Sequence, residues 1–228
     1  MIRTGARALL RSATLGLALV AAAAASDAAA AQAWEDYDFR TLEFRGIGVE
    51  GGSVWPARAV ATTGFALRLD LGFVGSGTRI APTARFWSSS LAANEVERLA
   101  QQIVLVCERQ VDVSCPAELN LGEVRLSDLE LGVDAQHHFF ASRRITPFVG
   151  ASLGLHLLNA RGDFIDGTFV EDLLDTVAPG IGPTLGINVR LGSSIQLMTE
   201  MRLMLASEVR YASFSGGGVW RLPTPAGE

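Results

Sequence analysis

Residues able to do covalent or metal chemistry are few in this chain: His137, His138 and His156, with Cys107 and Cys115. His156 shares one strand face with Ser152, but four residues along a strand is about 13 Å. A hydroxyl nucleophile needs its base within hydrogen-bond reach, so these two do not make a catalytic pair. His137 and His138 adjoin a turn, where turn or interfacial roles are the simpler reading. Arg161-Gly162-Asp163 spells an adhesion tripeptide, which three residues match too easily by chance to count. The carboxylates around it, Asp163, Asp166, Glu171, Asp172 and Asp175, lack the ligand pattern of a calcium loop and read as a solvated acidic loop. No catalytic residue, metal ligand set or cofactor is assigned.

The remaining reactive groups are charges, and their spacing has a period of two. Residues 63–74 set Phe65, Leu67, Leu69, Leu71 and Phe73 against Arg68 and Asp70, with glycine and alanine between. Such alternation marks a strand with one apolar face and one polar or small face. It recurs over 78–90 (Arg79 and Arg85 against Ile80, Pro82, Ala84 and Phe86) and over 127–139 (Asp128, Glu130 and Asp134 against Leu129, Leu131 and Val133). Residues 145–158, 177–191 and 194–205 repeat it, the last two contributing Arg190, Glu200 and Arg202 to the polar face. Segments 42–55, with Glu50, and 211–222 alternate less cleanly, which leaves their facing open. Together these are eight candidate strands, each about the length a tilted membrane-spanning strand needs.

Connections separate a membrane barrel from a soluble β-domain. Gly75-Ser76-Gly77, residues 140–143 and Gly192-Ser193 make tight turns, whereas 91–123 and 159–176 are long. Short turns at one end and long loops at the other are the outer-membrane pattern. In the first long loop Asn94 can cap a helix over 95–106, and a short helix is expected over 169–174.

A lipocalin-like soluble barrel alternates as well, with its apolar face inward. Here the polar face is crowded with Gly150, Gly154, Gly180, Gly182 and Gly186, which suits a narrow interior filled by its own side chains. Phe65 and Phe73 lie eight residues apart on the apolar face, ~21 Å of membrane normal at the usual tilt, the separation of two interfacial aromatic belts. Phe86 would join the outer rim, and Phe139 and Trp220 the inner one. The polar face carries five arginines against six carboxylates, so a salt-bridged plug is favoured over an open channel, because eight strands leave little lumen.

Residues 1–33 read as an export signal: Arg3, Arg7 and Arg11 precede an apolar run over 13–25, and Ala31-Gln32-Ala33 offers a cleavage site. An uncleaved anchor is the alternative, though the run falls short of the ~20 apolar residues of a spanning helix. In an exported chain Cys107 and Cys115 are expected to form a local disulfide; zinc binding and a free buried pair are the other readings. The formal charge of −5 disfavours a nucleic-acid partner.

With the opening Gly46-Ile47-Gly48-Val49-Glu50-Gly51-Gly52, the segment Pro147-Phe148-Val149-Gly150-Ala151-Ser152-Leu153-Gly154 and the closing residues 214–222, the chain resembles the OmpA-like and opacity-type small outer-membrane barrels. The resemblance covers residues 44–222 and implies an all-β, eight-stranded up-and-down transmembrane barrel. It also implies outer-membrane lipids and the barrel-insertion machinery as partners, and a monomeric protein. The family's terminal aromatic is absent, residues 223–228 forming a tail after Leu222. The division expected is signal peptide 1–33, barrel 34–222 and tail 223–228. The function expected is a non-enzymatic envelope or surface-contact role, with a small channel and a lipid-modifying enzyme as alternatives. Mass spectrometry of the exported protein should find Trp34 at its N-terminus; retention of Met1 would establish the anchor instead.

Overall fold

The computed structural model describes residues 39–75, 77–108, 121–162, 175–207 and 209–222, with the backbone alone given for 41 and 106–108. The expected signal peptide, the 169–174 helix, the C-terminal tail and the Cys107–Cys115 bridge, whose second cysteine falls within 109–120, lie outside the described residues.

Strands β1 (Gly46–Pro56), β2 (Thr62–Asp70), β3 (Phe73–Val74), β4 (Thr78–Ser90), β5 (Arg125–His138), β6 (Ile145–Arg161), β7 (Thr176–Arg190), β8 (Ile195–Ala206) and β9 (Arg210–Arg221) are joined in antiparallel pairs. The first strand pairs with the last, and β2 also pairs with β4, so the sheet closes on itself. The two-residue β3 continues β2 alongside β4, making eight staves.

Residues 63–74 were expected as one unbroken strand, and the structure interrupts it at Leu71 and Gly72. The cause is Asp70, whose carboxylate accepts the Gly72 amide at 3.0 Å while Gly72 takes φ +85°, a left-handed conformation that glycine adopts without a Cβ clash. Proline makes a second interruption: the β7–β8 ladder skips Gly182 and Pro183, proline having no N–H to donate.

Side-chain alternation follows the period-two pattern all round the barrel. Apolar residues point outward, and cross-strand rows run from stave to stave, as in Phe86–Leu129–Leu157–Val177 and Ala84–Leu131–Leu155–Pro179. Leu131, Leu153, Leu155, Ile181 and Leu203 are each at least half exposed, in the middle of their strands. Inward residues are buried and many are charged, Arg68, Arg79 and Asp134 having no exposed surface at all. A water-soluble barrel would have these faces reversed. A continuous ring of exposed leucine, isoleucine, valine and phenylalanine with charges inside is stable only against lipid hydrocarbon. No helix among the described residues is long and apolar enough to cross a membrane; the strands cross it.

The turns at 75–77, 139–144 and 191–194 lie at one end, together with the start of β1 and the end of β9. At the opposite end are connections 57–61, 91–124, 162–175 and 207–209, so two of the four are long and two are short. The longest holds α1 (Ala93–Glu108), which begins two residues ahead of the expected start. Ala92 is the capping residue in place of Asn94: its carbonyl already accepts the Val96 amide at 3.1 Å, and its own amide is held by the Arg58 carbonyl at 3.0 Å. Val96, Leu99, Ala100 and Ile103 of α1 pack on Leu121, Val124 and Ala160 beside Leu126, at the loop-bearing ends of β5 and β6.

Leu155→Arg, in the middle of the outward band, should lower the unfolding free energy of the protein in lipid vesicles by about 2–4 kcal/mol, read by urea titration. A change below about 0.5 kcal/mol would mean that this face is wet.

Candidate functional site

The lumen is occupied by side chains from nearly every stave. At its centre three arginines meet four carboxylates. Arg68 donates from Nε to Glu50 at 2.8 Å and from Nη2 to Glu200 at 2.8 Å, with Asp134 at 3.1 Å. Arg202 places Nη2 2.6 Å from Asp134 and 2.9 Å from Glu200, and Nη1 3.4 Å from Glu130. Arg85 completes the group, 3.0 Å from Glu200 and 3.4 Å from Asp134. These come from β1, β2, β4, β5 and β8, so sequence neighbours contribute little and barrel closure assembles the cluster.

Neutral donors supply what the arginines leave over. Gln136 donates to Glu200 at 3.0 Å, Ser215 to Glu50 at 2.9 Å, Tyr211 to Glu130 through its hydroxyl, and Ser152 to Glu130 at 3.4 Å. Charges removed from water persist only when paired and hydrogen-bonded in this way. The opposite wall makes room with small residues. At Gly186, for example, a Cβ would come within 2.6 Å of the Phe148 ring, itself buried in the lumen.

The eleven charges grouped by sequence do not form one network. Asp70 and Arg79 form a separate pair near the turn-bearing end, Nε to Oδ1 at 2.8 Å, with Arg221 at 3.7 Å from Asp70. Asp128, towards the loop-bearing end, pairs with no arginine among the described residues; it accepts from Trp87 Nε1 at 3.2 Å and lies 2.9 Å from His156 Nδ1. Arg190 leaves the lumen altogether, donating to the carbonyls of Ala141 and Arg143. Its position at the end of β7 puts it beside the 139–144 turn, where bare carbonyls offer closer partners than the central carboxylates.

Tyr211, Gln136, Ser152, Ser215, Trp87 and Arg221 were not assigned to the charge network by sequence reasoning. For Gln136 and Ser152 the signal existed, since both fall on the polar parity of clean segments. For Tyr211, Ser215 and Arg221 it did not, because the facing of the last strand was open.

Above the charges a hydrophobic layer of Val54, Trp87, Leu158, Ala178, Met204, Ala206, Val209 and Tyr211 closes the loop-bearing end. His156 and Ser152 go to different carboxylates, Asp128 and Glu130, so no hydroxyl is activated by an imidazole there. His138 turns inward, stacked on Phe148 with centroids 5.4 Å apart. Among the described residues no group of three or more histidines, cysteines or carboxylates could hold a metal ion.

The aromatics divide. Phe65, Phe86 and Trp220 are exposed on the outer wall, Phe65 and Phe86 as direct cross-strand partners. Phe73 and Phe139, expected as rim residues, are only partly exposed: Phe73 packs edge-on against His138 at 5.3 Å, and Phe139 against His137 at 5.2 Å. The break at Gly72 and the turn after His138 draw both rings onto neighbouring imidazoles. Trp55, Phe44 and Phe214 are exposed aromatics that the sequence reading did not include.

Apolar exterior, paired backbone and charge-filled interior together leave one environment. The chain is an eight-stranded outer-membrane β-barrel. No protein-family model and no curated protein matches it. Among solved structures it is similar to Neisserial surface protein A (15% identity, TM-score 0.49, 78% of this chain and 97% of that one). It is also similar to the N-terminal β-barrel domain of Pseudomonas aeruginosa OprF (10% identity, TM-score 0.45, 78% and 97%). A third is Ail, the attachment invasion locus protein of Yersinia pestis (10% identity, TM-score 0.36, 78% and 97%). These likenesses concern the fold.

Arg68→Ala would take from Glu50 its closest arginine and from Glu200 one of three, leaving an uncompensated negative charge in the barrel interior, and the unfolding free energy in vesicles should fall by about 3–5 kcal/mol. Arg68→Lys, which keeps the charge but not the planar fork, should lose less. Arg98→Ala, removing an exposed helix pair, should change it by less than about 1 kcal/mol.

Proposed function

We propose that this barrel is a closed, non-enzymatic structural protein of the outer membrane whose external face, α1 and the long loops, carries its surface contacts. The observation behind this reading is the central cluster of Arg68, Arg85 and Arg202 with Glu50, Glu130, Asp134 and Glu200, all buried, each arginine pairing with three of the four carboxylates. An ion passing through would have to break contacts that no hydrated lumen replaces. The hydrophobic layer around Trp87 and Met204 adds a dry barrier above it. The non-enzymatic reading draws on His156 facing Asp128 while Ser152 faces Glu130, which keeps those two side chains apart. The chain is taken to act as a monomer inserted by the barrel-insertion machinery.

A small channel is the second reading, and one observation favours it. In the lumen, polar atoms of Arg79, Gln136, His138, Asn188 and Gln196 are buried without a protein partner. Such groups are met by internal water, so part of the lumen is suited to hydration.

Planar-bilayer recording of the purified protein decides between the two. The plugged reading expects no steady conductance; Arg202→Ala, which removes the arginine paired with Glu130 as well as with Asp134 and Glu200, should introduce openings. Stable, ion-selective conductance in the unaltered protein would overturn it.

A further inference from the structure

The outward-facing strand positions hold three charges, Arg125, Arg161 and Arg210. All are arginine, and all sit at the loop-bearing ends of β5, β6 and β9. Arg125 and Arg161 are direct cross-strand partners on the same face of the sheet. The rows beneath them run Ser127–Asn159 and then Leu129–Leu157, so the two guanidinium groups stand one polar row above the start of the apolar band.

Like charges placed directly opposite on adjacent strands repel. Their side chains are neighbours, and no acidic group lies between them on either strand. Glu123 comes only within 4.0 Å of Arg125, both side chains being about two-thirds exposed, and Glu123 is already bonded to Ser90 at 2.6 Å. Arg161 has no ion pair among the described residues. Arg210 stands on the wall of β9, next to Ala212, whose partner on β1 is the exposed Trp55, an aromatic and cation combination typical of a water–lipid interface.

Among the described residues neither guanidinium has a close anion, and both stand outside the barrel wall at the level where hydrocarbon gives way to headgroups. Arginine's fork fits phosphate bidentately, and two adjacent forks fit a phosphomonoester with its extra charge especially well. We propose that Arg125 and Arg161 clamp the phosphate of an anionic lipid in the external leaflet, with Arg210 making an equivalent contact on another side of the barrel. The repulsion built into the register is then relieved on insertion, and the clamp fixes the depth and tilt of the β5–β6 wall. This follows from the membrane-spanning orientation alone and is independent of whether the lumen conducts.

The test uses the full mature protein in nanodiscs of phosphatidylcholine containing a minor fraction of phosphatidic acid, with retained lipid counted by native mass spectrometry. Phosphatidic acid should be enriched around the unaltered protein by roughly fivefold for each engaged arginine. Arg125→Gln with Arg161→Gln should lower that enrichment more than tenfold, and Arg161→Gln alone by an intermediate factor, with all variants showing the heat-modifiable mobility of a folded barrel. Enrichment equal in the variants and the unaltered protein would overturn the proposal. So would release of the retained lipid by millimolar inorganic phosphate, which would make the pair a site for a soluble anion. Should the double variant fail to fold, the single Arg161→Gln variant, altered at an exposed strand end, carries the same decision.

Discussion

In hydrocarbon an unpaired backbone N–H or C=O costs several kcal/mol, and every other feature of this barrel follows from that penalty. It demands that β1 meet β9 and that β2 meet β4, so that no stave has a free edge. Closure at eight staves then fixes a narrow lumen. A narrow lumen lined by eight inward faces cannot hold bulk water around each charge, so the charges must satisfy one another. The Arg68–Glu50–Glu200–Arg202–Asp134 arrangement is the consequence of closure as much as a contributor to stability.

The two faces of each strand answer to different solvents. Outside, the leucine and isoleucine rows contribute by contact with lipid rather than by burial within the protein, so their exposure is not a liability. Inside, glycines at positions such as 180 and 186 yield space to His156 and Phe148 from the next stave. Small and large residues alternate across the lumen, and stacked layers result: an Asp70–Arg79 pair, the central cluster, the Asp128–His156 pair with Trp87, and an apolar cap at the loop-bearing end. This layering explains why the charges split into groups rather than a single net. A charge reaches only about the width of the lumen, so its height along the barrel axis selects its partners.

Chemistry at the two ends is asymmetric. Arg190 and Arg143 serve the 139–144 turn, Arg190 through turn carbonyls and Arg143 over the Phe140 ring, whose left-handed φ of 57° tightens the bend. Arg125, Arg161 and Arg210 at the loop-bearing end face outward, without comparable partners among the described residues. The same residue type therefore closes turns at one end and presents cations to the surroundings at the other.

Sequence alone determined the strand segments, their facing over the clean stretches, the short turns and the polarity of the interior, because side-chain alternation is a local property with a period of two that each strand displays by itself. Arg68, Arg79, Arg85, Asp134, Glu200 and Arg202 were legible as inward groups for that reason. Only the tertiary structure decided which of them meet. Partners such as Arg68 and Glu200 are 132 residues apart, and the stagger of the closing strands sets their relative heights. It also decided what local pattern misrepresented: the break at Gly72 caused by Asp70, the withdrawal of Arg190 to the turn, and the rotation of Phe73 and Phe139 onto histidines. Arg190 is drawn off by the carbonyls of a turn and Phe73 by a histidine of another stave, while Asp70 and His137 act from two residues away through contacts that a period-two alternation does not encode.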